Sequence, residues 1–266
     1  MTPIQNRELR ATARELGCRP RHPLASPRRS EHEEIPRGLR DRYVPIGRPP
    51  QASSAAKSRG DLVVIGDSIS DAAFFKTLGG KPDQMWWAKL GRKTRTTPRV
   101  YAERGSGYTR PGKCVTTTIG QRIGRKAMAT RMNKAKIVVI AAGVNDYRKC
   151  VFRADGTYYL APTSGEEVEE AISAAFDELD AAVTYEAKVI ITAPYGSRPE
   201  LKQYRERLVR SLRAHSEEHG FQYVDTAHGT LWGKSKSRDR IHPTAKGMQR
   251  LYRDIYMKSN LRKRFR

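Results

Sequence analysis

Four short segments carry the side chains that could do chemistry. Ser68 stands in Gly66-Asp67-Ser68-Ile69-Ser70, and Asp239-Arg240-Ile241-His242-Pro243 puts a carboxylate and an imidazole three residues apart. A serine hydroxyl is a weak nucleophile until a base takes its proton, and that base must be held in one tautomer by an acceptor on its far nitrogen. Asp239 and His242 can meet across one turn, with Pro243 fixing the path of the chain beyond them. The chemistry this predicts is acyl transfer through a covalent Ser68 ester, with His242 as base and then acid and Asp239 orienting it. The tetrahedral oxyanion needs donors already in place. Candidates are the Ser68 backbone N–H, the Gly107 backbone N–H of Gly105-Ser106-Gly107-Tyr108-Thr109, and the side-chain amide of Asn145 in Gly143-Val144-Asn145-Asp146. Asp146 is read as structural.

The elements that must position these residues follow from the pattern between Asp61 and the C-terminus. Apolar runs occur at Leu62–Ile65, Arg99–Tyr101, Lys136–Ala142, Lys188–Thr192 and Phe221–Val224. They are continuous rather than alternating, as in strands buried on both faces of a parallel sheet. Helices are expected between them: about Gly120 to Asn133, a capping box at Ser164 and Glu167 opening a helix with Val168, Ile172, Phe176, Leu179 and Val183 on one face, about Pro199 to His219, and a last one from Thr244. This alternation predicts a three-layer α/β domain with right-handed crossovers, whose chemistry gathers at the carboxyl ends of the strands. Each of the four segments follows one of the expected strands.

In order and spacing the four segments resemble the conserved blocks of the SGNH (GDSL-type) hydrolase family, over about residues 61 to 258. The resemblance implies a flavodoxin-like sandwich with a five-stranded, mainly parallel sheet, and a Ser-His-Asp hydrolase of esters or thioesters without metal or organic cofactor. It favours Gly107 over Gly105 as the oxyanion donor. The family's second block often has an Asn where Ala102-Glu103-Arg104 stands, so a differently shaped oxyanion loop is expected. Singly, each residue has a plainer explanation: Ser68 as a helix N-cap, His242 as a surface histidine, Asn145 and Gly107 as turn formers. Their joint order carries the case.

Tyr108, Tyr195 and Trp232 follow strands on the same rim and are candidates for substrate contact. At least one of Trp86 and Trp87 is expected in the core, with the other available to an acyl pocket. Tyr147–Thr163 is read either as a lid beside Asn145 or as a surface hairpin around Asp155-Gly156. His215 and His219 have a metal-binding spacing without an obvious third ligand, and are read as a solvated helical turn. Cys18, Cys114 and Cys150 form no CxxC or Cys/His cluster, so neither a disulfide scaffold nor a zinc site is expected.

Composition bounds the rest. In 266 residues, 51 Lys plus Arg stand against 28 Asp plus Glu, a net charge of +23. Residues 1–60 carry +7 of it and 8 of the 15 prolines, which argues for an extended basic arm ahead of a domain at 61–258, with a basic tail at 259–266. No apolar run is long enough for a membrane span and no signal region opens the chain, so synthesis in the cytoplasm is expected. The expected partner is an ester of a lipid or polysaccharide, such as one in a cell envelope. A second reading makes the chain an attachment component of a larger assembly, such as a phage virion or tail, held through its arm. A third takes the basic stretches, including Arg122, Arg125, Lys126 and Arg131, as nucleic-acid contacts on an inactive fold, although no nucleic-acid-binding signature accompanies them.

Overall fold

The computed structural model describes residues 60–265; the expected arm and Cys18 lie outside them. Five strands form one all-parallel sheet: β1 (Asp61–Gly66), β2 (Thr97–Ala102), β3 (Ala135–Ala141), β6 (Lys188–Thr192) and β7 (Gln222–Tyr223), in the order β2-β1-β3-β6-β7. The central strands are buried on both faces, as their unbroken apolar runs require: Leu62 to Ile65 and Ile137 to Ala141 are wholly inaccessible. The order reverses at β1, so right-handed crossovers send the helices to opposite faces. α1 (Ala72–Thr77) and α2 (Trp86–Thr94) connect β1 to β2, and α2 packs against α7 (Ala245–Lys258). On the other face α5 (Gly165–Ala182) packs against α3 (Ile119–Ile123), α4 (Lys126–Asn133) and α6 (Lys202–Glu218). The carboxyl ends of β1 and β3 flank the reversal, the place where an open parallel sheet leaves a crevice.

Local sequence accounts for most boundaries. Ser164 and Glu167 form the expected capping box, and Thr244 caps α7 by accepting from the Gly247 N–H. The single helix expected over 120–133 is two, broken at Gly124-Arg125, where the chain leaves helical geometry before α4. A short helix α8 (Leu261–Arg264) buries Leu261, so ordered packing runs past residue 258 into the expected tail.

Tyr147–Thr163 contains a two-stranded antiparallel hairpin, β4 (Arg148–Phe152) with β5 (Tyr158–Pro162). Its turn is built by the Asp155 carboxylate accepting from Thr157 and by Gly156 at φ 78°. Contrary to the cysteine expectation, Cys150 of β4 is bonded to Cys114 of the loop after β2, with Cα atoms 5.6 Å apart. Spacing alone does not reveal a pair 36 residues apart, because the hairpin must first fold back over that loop. Replacing both cysteines by serine should lower the unfolding free energy by about 2–4 kcal/mol in a urea titration. An unchanged midpoint and slope would mean that the cross-link contributes no stability.

Candidate active site

The turn that carries Ser68 begins where β1 runs out. Gly66 has no room for a side chain: a Cβ would stand 2.5 Å from Ser70 Oγ and 3.1 Å from the Ala141 carbonyl. The Ser70 N–H then donates to the Asp67 carbonyl at 3.0 Å, and Trp87 Nε1 donates to the Ser70 carbonyl at 3.0 Å, pinning the turn from α2. Ser68 is not the cap of α1. That role belongs to Asp71, whose carboxylate accepts from the Phe74 N–H at 3.0 Å. The Ser68 hydroxyl is thereby left for another partner, and its Oγ lies 3.1 Å from His242 Nε2.

His242 is held from behind. Asp239 Oδ1 accepts from the backbone N–H groups of Ile241 at 3.0 Å and His242 at 2.7 Å, and Oδ2 meets His242 Nδ1 at 2.5 Å. Partial burial acts to raise the pKa of Asp239, but the His242 ring and these two N–H donors outweigh it and hold the pKa at about 2. It therefore remains a carboxylate able to orient an imidazole. Arg240 between them adopts φ 65°, and Phe74 sets its ring edge-on to His242 at 4.8 Å.

The turn also rests on a residue that motif reading passed over. Gly196, in the loop after β6, lies so close beneath it that a Cβ would fall 1.6 Å from the Arg240 carbonyl oxygen and 2.7 Å from the Ile241 nitrogen. Its place in Pro194-Tyr195-Gly196 gave a turn signal only; the close approach belongs to the tertiary fold.

Asn145 forms the opposite wall. Its Nδ2 donates to the Ser106 carbonyl at 2.9 Å and lies 3.4 Å from Asp67 Oδ2. The Ser68 N–H has no hydrogen-bond partner among the described residues. The Gly107 N–H, expected as an oxyanion donor, instead donates to the Arg110 carbonyl at 2.8 Å. Gly107 is required for space: a Cβ there would stand 2.2 Å from Asp146 Oδ1. That Asp146 oxygen accepts from the Thr109 N–H at 2.7 Å, the Thr109 hydroxyl at 2.8 Å and the Arg110 N–H at 3.3 Å, which supports its structural reading.

Beneath this wall lie charges the motif did not announce. Arg122 is 2 % exposed; it donates to the Gly66 carbonyl at 3.1 Å, the Tyr101 carbonyl at 3.4 Å and Ser106 Oγ at 2.7 Å. It is thus a fastening of β1, β2 and the second segment rather than part of an exposed basic face. Asp67 is raised to about 7, first by burial and further by the neighbouring Asp146 charge, against the Ile69 N–H and Arg122, which favour the carboxylate. Burial raises Asp146 as well.

Several aromatic candidates are elsewhere. Tyr108 and Tyr195 are 3 % and 1 % exposed, and the Tyr195 hydroxyl donates to the Gly143 carbonyl, so both belong to the core rather than to a substrate wall. Trp86 and Trp87 are both buried. Trp232 is exposed, with the Arg205 guanidinium 5.2 Å from its ring centroid. His215 and His219 do not form a solvated turn: His215 Nε2 meets Glu169 at 2.7 Å and His219 stacks on Phe221. With Glu218 they place ligand atoms within 4.8 Å of one another, at the end of α6 that leads into the amino end of β7, whereas Ser68 and Asn145 follow the carboxyl ends of β1 and β3.

Residues 64–250 match the model of the GDSL-like lipase/acylhydrolase family. The chain belongs to this family. No curated protein matched the chain. Among solved structures, this GDSL-like protein resembles a family two carbohydrate esterase from Clostridium thermocellum in complex with cellohexaose, with a TM-score of 0.60 and 15 % identity over 80 % of this chain and 67 % of that one. An acetyl xylan esterase from the rumen bacterium Butyrivibrio proteoclasticus gives 0.56 and 10 % over 80 % and 66 %. At these identities the likeness speaks for the fold. No helix among the described residues is long and apolar enough to cross a membrane.

Gly196→Ala should leave the protein folded but displace the Asp239–His242 turn, lowering kcat on p-nitrophenyl acetate by about 10²-fold; an unaltered kcat would show that the turn does not depend on this contact. Asp67 carries a second expectation. Because its folded value lies above the unfolded value of 3.8, its protonated form favours folding below about pH 4, and that contribution is lost as pH rises through about 7. The stability of Asp67→Asn relative to the native protein should therefore improve between about pH 4.5 and 8 in urea titrations. A difference that does not vary with pH would rule out a proton on Asp67.

Proposed function

We propose that the protein is a serine ester hydrolase acting through a covalent acyl-enzyme. The observation that carries this reading is the continuous path from Ser68 Oγ through His242 to Asp239, at 3.1 Å and 2.5 Å, beside a Ser68 N–H that has no hydrogen-bond partner among the described residues. Family membership supports an ester as substrate.

In the first half-reaction Ser68 attacks the ester carbonyl while His242 Nε2 takes the hydroxyl proton. The positive charge that develops on the imidazole is stabilised by Asp239, which stays ionised at any pH well above 2. The oxyanion receives the Ser68 N–H and an amide hydrogen of Asn145, the latter exchanging its long contact to Asp67 for the stronger acceptor. Gly107 contributes the space that lets Asp146 anchor the loop. His242 then protonates the leaving alcohol, and water, deprotonated by the same nitrogen, hydrolyses the acyl-enzyme.

Trp86 and Trp87, one of which the sequence offers for an acyl pocket, are both in the core, as are Tyr108 and Tyr195 of the three substrate-contact candidates, while Trp232 is exposed. This favours a short acyl group such as acetyl. The acetyl xylan esterase among the structural neighbours is consistent with that choice.

Ser68→Ala and His242→Ala should each lower hydrolysis of p-nitrophenyl acetate by on the order of 10³-fold or more. A fluorophosphonate probe should label Ser68 in the native protein and leave Ser68→Ala unlabelled. Full activity in Ser68→Ala would overturn the assignment.

A further inference from the structure

A cavity of about 690 Å³ opens directly from the catalytic pair, lined by His242 and Asp239 and continuing between the end of α1 and the 234–246 segment. Its walls include Lys234, Arg238 and Lys246. Among the described residues none of these cations has an ion-pair partner, and Asp239, the one carboxylate on the wall, is committed to His242. The first residues of α7, Ala245 and Lys246, add the positive end of that helix to the same wall. The remaining lining is small or apolar, including Phe75, Leu78, Gly79 and Gly80.

The position of the cavity indicates which half of an ester it would receive. Ser68 and Asn145 do not line it, so the acyl carbon and its oxyanion lie outside it. His242 hands its proton to the leaving oxygen, and the alcohol half must therefore extend from the reacting carbon past His242. Three cations without an ion-pair partner among the described residues, set in a concave wall, give a field that strengthens anion binding beyond what the same charges give on a flat surface. Nothing in the triad needs that charge.

We propose that the preferred substrates are esters whose alcohol half carries a negative charge, bound in this cavity by Lys234, Arg238 and Lys246. The inference rests on the hydrolase reading above. The shared chemistry is an oxyanion near the ester, either the carboxylate of an acidic sugar or a phosphate ester.

Three acetyl esters with one ring separate the possibilities: 4-acetoxybenzoate, 4-acetoxyphenyl phosphate and the neutral methyl 4-acetoxybenzoate. The native protein should favour at least one anionic ester over the neutral one by about tenfold or more in kcat/KM at low salt, and the preference should shrink as ionic strength rises from about 0.05 M to 0.5 M. The combined variant Lys234→Gln, Arg238→Gln, Lys246→Gln should lose most of that ratio. Preference for the benzoate points to a carboxylate source, and preference for the phosphate to a phosphate source. A ratio unchanged in the variant, or a uniform loss on all three esters, overturns the inference while hydrolysis of the neutral ester by the native protein keeps the hydrolase reading intact. Absence of hydrolysis of all three by the native protein overturns both.

Discussion

Arg122, Asp67 and Asp146 place ionisable groups under the carboxyl ends of β1 and β3, where water is excluded. An isolated buried charge is costly, so each must find partners or give up its charge. Arg122 finds two carbonyls and the Ser106 hydroxyl, and Asp146 finds three donors from Thr109 and Arg110. Asp67 takes the Ile69 N–H at 2.8 Å, and burial raises its pKa to about 7. These demands fix the second segment against the first and third, and so fix the distance between Asn145 and Ser68. Gly107 is the steric counterpart of the same arrangement, since any side chain there would occupy the place of the Asp146 carboxylate.

The Asp239–His242 pair is organised more locally. One Asp239 oxygen folds the chain by accepting from two backbone N–H groups, and the other meets the imidazole. The same carboxylate thus shapes the turn and sets the tautomer of His242. What locality cannot supply is the position of that turn relative to Ser68, a residue 174 positions away. Gly196 supplies part of it by letting the loop after β6 lie flush against Arg240.

Basic residues divide by environment rather than by count. Arg122 is spent inside the fold, Arg104 pairs with Asp71 at 2.7 Å and lies over Phe74, while Lys234, Arg238 and Lys246 face an open cavity. Net charge alone does not distinguish these uses. A guanidinium enclosed by carbonyls stabilises structure, whereas the same charge facing an open cavity is available to a ligand.

The sequence by itself determined the alternation of strands and helices, the caps at Ser164 and Thr244, and the four segments that follow strands. These depend on near-neighbour patterns: apolar continuity, capping residues and turn formers. It also brought Asp239 and His242 within reach, because three residues suffice to close that contact. Only the tertiary structure decided that Asp71 rather than Ser68 caps α1, that the Gly107 N–H belongs to Arg110, that Tyr108 and Tyr195 enter the core, and that Cys114 meets Cys150. Each of those outcomes turns on which groups compete for a shared space or a shared donor. That competition is settled by the packing of segments far apart in the chain, which the spacing of residues along it does not encode.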